Sequence, residues 1–101
     1  MDKRLELHKM LVDILGSENV YFNPPASIFM KYDAIRYSLR NYYTRKADNT
    51  LYNKMDCYEV VVIAKQPGHP AIDKLLRVPY CSHDRHYVAD NLSHDVFTLY
   101  N

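Results

Sequence analysis

Val78-Pro-Tyr-Cys-Ser-His-Asp-Arg-His-Tyr-Val-Ala-Asp-Asn-Leu-Ser-His-Asp-Val-Phe-Thr-Leu-Tyr100 closes the chain, and its reading decides the fold. From Asp84 to Asp90 and from His94 to Tyr100, charged or hydroxylated residues alternate with apolar ones, the period of strands with one solvated face. Between them, Asp90-Asn91-Leu92-Ser93 supplies side chains that bond back to the main chain and tolerate left-handed dihedrals. The stretch is therefore expected to form a hairpin. It also gathers His83, His86, His94 and Cys81, so chemistry is sought here first.

Upstream, Cys57-Tyr-Glu-Val-Val-Val-Ile-Ala64 is a continuous β-branched run suited to the centre of a sheet. Ala34 to Tyr43 reads as a further strand. It puts Ile35, Tyr37 and Leu39 on one face and Arg36, Ser38 and Arg40 on the other. Asn19 to Phe22 gives a short strand that Asn23-Pro24-Pro25 ends, since proline lacks the ladder donor. Ala26 to Met30 is read as an irregular crossing or an edge segment. Thr44 to Asp56 lacks a sustained period and is expected to be a long polar loop, at about 44–56, that binds something.

Two helices complete the plan. Leu5, Leu7, Met10, Leu11, Ile14 and Leu15 form one stripe between a capping Asp2 and a stopping Gly16. Pro70 to Arg77 opens with proline in its first turn and cannot continue through Pro79. The expectation is one α+β domain, residues 1–101, with both helices on one face of a mainly antiparallel sheet of about four strands.

Composition narrows the function classes. The formal charge of +1 lacks the basic excess of a chain held on nucleic acid by its phosphates. No run is long enough to cross a bilayer, and Met1-Asp2-Lys3-Arg4-Leu5-Glu6 is too charged for a signal peptide, so a cytosolic protein is expected. Cys57 and Cys81 are then expected to be reduced. Ten tyrosines against three phenylalanines favour surfaces that become covered in a complex.

Three chemistries have candidate residues here. Zinc at Cys81, His83, His86 and His94 meets a spacing problem, because on a regular strand His86 points away from Cys81 and His83. A nucleophilic Cys57 or Cys81 has only composition in its favour, and the two glycines, Gly16 and Gly68, form no phosphate-cradling loop. Asp84, Arg85 and His86 are read instead as a cross-strand network in which Asp84 and Arg85 meet His94, Asp95 or Tyr100, at roughly 0.2–1 kcal/mol per pair. No catalytic residue, metal or cofactor is assigned.

Further residues carry a resemblance. Leu51-Tyr52-x-Lys54-x3-Tyr58-Glu59-Val60-x-Val62-Ile63 is followed by Lys74-Leu75-Leu76, by Pro79 through Leu92 and by His94 through Tyr100. With Tyr21-Phe22-x-Pro24-Pro25 and Ile35-x-Tyr37, this pattern resembles the tail-terminator, or tail-completion, proteins in the neck of long-tailed bacteriophages and prophages.

The resemblance implies a non-enzymatic virion protein, made in the bacterial host cytoplasm, that assembles with itself as a hexameric ring. Such a ring caps the tail tube protein, stops tube growth and offers a face to the head-side connector or head-closure protein, without a cofactor. Tyr21, Phe22, Pro24 and Pro25, which read equally as a rigid corner between helix and sheet, together with Tyr43, Leu51, Tyr52 and Met55 of the arm, are candidate subunit contacts. Arg36, Arg40 and Arg45 are candidates for lining the opening and touching passing DNA. The alternatives are a head-closure or adaptor protein and, from another class, a small metal-dependent hydrolase or nuclease using His83, Asp84, His86 and Asp95.

Overall fold

The computed structural model describes residues 3–24, 30–47 and 50–100; the side chains of Lys3 and of residues 42–55 fall outside the description. In chain order the elements are α1 (Lys3–Leu15), β1 (Val20–Phe22), β2 (Ala34–Ala47), β3 (Thr50–Ala64), α2 (Pro70–Leu76), β4 (Cys81–Ala89) and β5 (Leu92–Tyr100). The strands form one sheet in the order β1-β2-β3-β5-β4.

The fold is α+β, with an N-terminal helix, a second short helix and a mixed sheet. The expected four antiparallel strands become five, because β1 joins the edge parallel to β2, with Val20 opposite Ile35. A parallel pair needs a crossover, and the chain between β1 and β2 supplies it. Met30 and Tyr32, at the described end of that connection, pack on Val61, Ile63 and Val96, on the sheet face away from the helices.

The helix face holds the main core. Leu7, Leu11 and Leu15 recur every fourth residue along α1 and are buried, together with Ala71 and Leu75 of α2. They cover Ile35 and Tyr37 of β2, Tyr58, Val60 and Val62 of β3, and Phe97 and Leu99 of β5. With this cluster on one side and the crossover on the other, β3 from Val60 to Ala64 is buried on both faces, as its unbroken apolar run predicts. Gly16 ends α1 at φ +80°, a left-handed conformation, with its N–H on the Val12 carbonyl at 2.9 Å.

The terminal hairpin forms with a tighter turn than expected. Asp90 and Asn91 take φ 52° and 61°, a two-residue connection of the kind whose twist suits paired strands, and Leu92 and Ser93 belong to β5. The larger correction concerns residues 44–56. Residues 44–47 and 50–56 are strand rather than loop, for β2 and β3 stay paired out to Ala47 opposite Thr50. Backbone pairing on a two-residue connection sets its own register and needs no apolar face. A periodicity argument therefore does not detect it.

Beyond Asn41 and Cys57 no third strand among the described residues pairs with this ribbon. β1 pairs β2 at residues 35–37, and β5 ends against Cys57. The molecule accordingly measures 50 × 24 × 23 Å.

Candidate functional site

Imidazoles and carboxylates collect where β4 meets β5. The register places Cys81 opposite Leu99 and His83 opposite Phe97, on the helix face of the sheet. A bulge then intervenes between His83 and Arg85, with Asp84 as the extra residue. The bulge shifts the alternation by one, so His86, opposite Asp95, returns to the face of His83. The expectation that these two histidines point apart is thus overturned, and the cause is one extra residue that a strict period of two cannot anticipate.

Both imidazoles reach the same carboxylate oxygen. His83 Nε2 and His86 Nδ1 each lie 3.0 Å from Asp95 Oδ1. A carboxylate offers only acceptors, so in these contacts His83 Nε2 and His86 Nδ1 are the donors. Asp95 is buried at 7% exposure, and His83 also rests edge-on against Phe97, with ring centroids 5.1 Å apart. Among the described residues no three His, Cys, Asp or Glu side chains are arranged to hold a metal ion.

Asp84 serves the opposite face. Its Oδ2 accepts from the Thr98 hydroxyl at 2.6 Å, and Arg40 Nη1 donates to the same hydroxyl oxygen at 3.0 Å and lies 3.6 Å from Asp84 Oδ2. This chain ties β2 to β4 across the two strands between them. The network expected around Asp84 therefore exists, but its partners are Thr98 and Arg40 rather than His94, Asp95 or Tyr100. Arg85 faces the Tyr87 ring at 5.9 Å, and Tyr87 stacks on His94 at 4.6 Å.

Cys81 is a poor nucleophile here. Burial, with a smaller contribution from the Asp84 carboxylate, pushes its thiol up to about 11. Cys57 is buried in the core strand, and both thiols are free.

The proposed contact residues divide. Tyr21 and Phe22 are engaged within the subunit: the Tyr21 hydroxyl accepts from the Lys31 N–H at 3.1 Å, while Phe22 lies between the Arg4 guanidinium, at 4.5 Å, and the Tyr37 ring, at 5.0 Å. Pro24 is half-buried, and Pro25 lies outside the described residues. Tyr43, Leu51, Tyr52 and Met55 lie on the backbone of the ribbon, their side chains outside the description. Arg45 stands likewise, whereas Arg36 is half-buried and Arg40 is held by Thr98 and Asp84.

Two polar constellations escaped the sequence. His8 Nδ1 meets the hydroxyl of the buried Tyr37 at 2.7 Å. His69 caps α2, its Nδ1 accepting from the Ala71 N–H at 3.0 Å, which leaves the proton on Nε2, 3.6 Å from Asp33 Oδ2. The other oxygen, Asp33 Oδ1, accepts from the Lys65 N–H at 2.9 Å. The legible signal was His69 directly before a helix-opening proline. Surface recesses of about 500 Å³ beside His8 and about 390 Å³ beside Asp33 and His69 exist, and the His83–Asp95–His86 cluster lines neither.

Comparison with protein families, with curated proteins and with solved structures gives no match to this chain.

Proposed function

We propose that this chain is a structural subunit without catalytic activity that assembles with copies of itself into a closed ring, as a terminator of a phage tail tube. The observation that carries this reading is the β2–β3 ribbon. A two-stranded hairpin alone in water is marginal at best, and a subunit that extends one by about 20 Å, six or seven residues at ~3.3 Å each, has a use for a neighbour that covers it. The resemblance of the C-terminal half to tail terminators gives that neighbour an identity, namely an identical chain, and gives the ring six members. A ring built from repeated head-to-tail contacts uses two different patches on each subunit, which suits an arm at one place and a receiving surface at another. The tail tube and the head-side connector are the partners that follow.

One observation favours a hydrolase instead, the convergence of His83 and His86 on Asp95. The same geometry weakens it. The nearest thiol, Cys81, is held protonated, and the cluster lines neither recess, whereas substrate sites are concave. Native mass spectrometry of the full chain tests the structural reading: a discrete mass near six subunits supports it, and a monomer at all concentrations contradicts it. Turnover of an ester or phosphodiester that disappears with His86→Ala would establish the hydrolase.

A further inference from the structure

We infer that the free edge of β4, from Arg85 to Ala89, receives the β2–β3 ribbon of an identical neighbouring chain as an added strand. The inference rests on the self-assembly proposed above and names its receiving surface. Sheet order leaves β1 and β4 at the two edges, and β1 has three residues where β4 has nine. From Ser82 to Val88 every β4 residue is exposed, Val88 at 66%.

The register determines which backbone groups are available. A two-residue turn at Asp90-Asn91 makes Ala89 and Leu92 a hydrogen-bonded pair, and antiparallel pairs alternate. Tyr87 and Arg85 therefore bond to β5, while Val88 and His86 turn their N–H and C=O to the free edge. Toward Cys81 the edge is guarded. The bulge at Asp84 and two adjacent charges disrupt pairing there, devices that keep edges from joining promiscuously. The run open to a partner is thus the five residues Arg85–Ala89.

The occupant follows from reach and charge. The chain's own ribbon leaves the sheet at the Cys57–Tyr100 end, whereas Val88 lies beside Ser93 and Ala64 at the other end, so a subunit cannot fill its own edge. A second copy can, and its ribbon strands carry an outer edge of unpaired backbone. In sequence, residues 42–55 bring Arg45, Lys46 and Lys54 against a single Asp48, and the β4–β5 hairpin brings Asp84, Asp90 and Asp95 against a single Arg85. Of these acids Asp95 is buried and Asp84 is held by Arg40, so Asp90, exposed at the turn beside the open run, is the carboxylate a basic ribbon meets, and the like charges of two ribbons disfavour ribbon on ribbon.

Hydrogen exchange and native mass on the intact chain test this. In the assembled protein the His86 and Val88 amides should exchange at least about tenfold more slowly than in the diluted monomer, the change one net hydrogen bond produces, while the Tyr87 amide is protected in both. Val88→Pro removes one outward donor and leaves the β4–β5 ladder intact, so it should remain folded and run as a monomer. An assembly whose His86 and Val88 amides exchange as fast as in the monomer overturns the edge assignment and leaves the ring standing. A wild-type chain that never assembles overturns both.

Discussion

β2 and β3 run side by side from Ala34 and Ala64 to Ala47 and Thr50, yet the two halves of that ladder live under different physics. In the inner half, Ile35 and Tyr37 face Val62 and Val60 with β1 and β5 outside them, the helices on one face and the crossover on the other. In the outer half, residues 42–47 face 50–56 past two register shifts, after Leu39 and after Arg45, and no third strand among the described residues pairs with them. Backbone pairing continues through both halves. The difference is that the inner half is paired on both sides and buries apolar surface, while the outer half pairs only within itself among the described residues, so strand length here exceeds what the described core needs.

Perturbations should respect that division. Phe97→Ala, in the inner layer, should cost about 3–5 kcal/mol in urea unfolding, because the site is closed and collapses poorly; a loss under about 1 kcal/mol would mean the inner half is no better packed than the outer. Asp95→Ala should cost about 1–3 kcal/mol, since it strips the acceptor from two imidazole donors, and Asp95→Asn should recover part of that loss. The Cys81 thiol should make a smaller contribution, visible only in alkali. Its folded pKa lies above the unfolded value of 9.0, so the native state binds the proton more tightly, and stability that is full below pH 9 should decline as pH rises toward about 11. A Cys81→Ser variant would lack this decline. Thiol labelling of Cys81 near pH 7 should accordingly be slow.

Most of the architecture was written in apolar periodicity. The leucine stripe of α1 and the β-branched run of β3 reflect burial, which is what a period of 3.6 or a continuous apolar run records, whereas the terminal hairpin departs from the expected single wet face: β5 is buried on both faces from Asp95 to Leu99 and β4 is exposed from Ser82 to Val88. Two features left no such record. The ribbon is held by backbone pairing, which any polar sequence can supply, and it read as a loop for that reason. The bulge at Asp84 moves one residue out of register, and with it went the meeting of His83 and His86 on Asp95. Tyr21 and Phe22 brace Lys31 and α1 from within the subunit, and Phe22 stays 36% exposed beside them.

The ribbon is the place where fold and function separate, and shortening it is the most direct test. Replacing Arg45–Asn53 by Asn-Gly leaves Thr44 opposite Lys54 across a two-residue turn and touches no buried side chain of the described core. The shortened chain should unfold within about 0.5 kcal/mol of the parent, as changes away from the core do, and should run in solution at the mass of one subunit where the parent is expected to run as the proposed ring. A shortened chain that assembles like the parent, or that loses several kcal/mol of monomer stability, would contradict the claim that the outer half of the ladder exists for a neighbour.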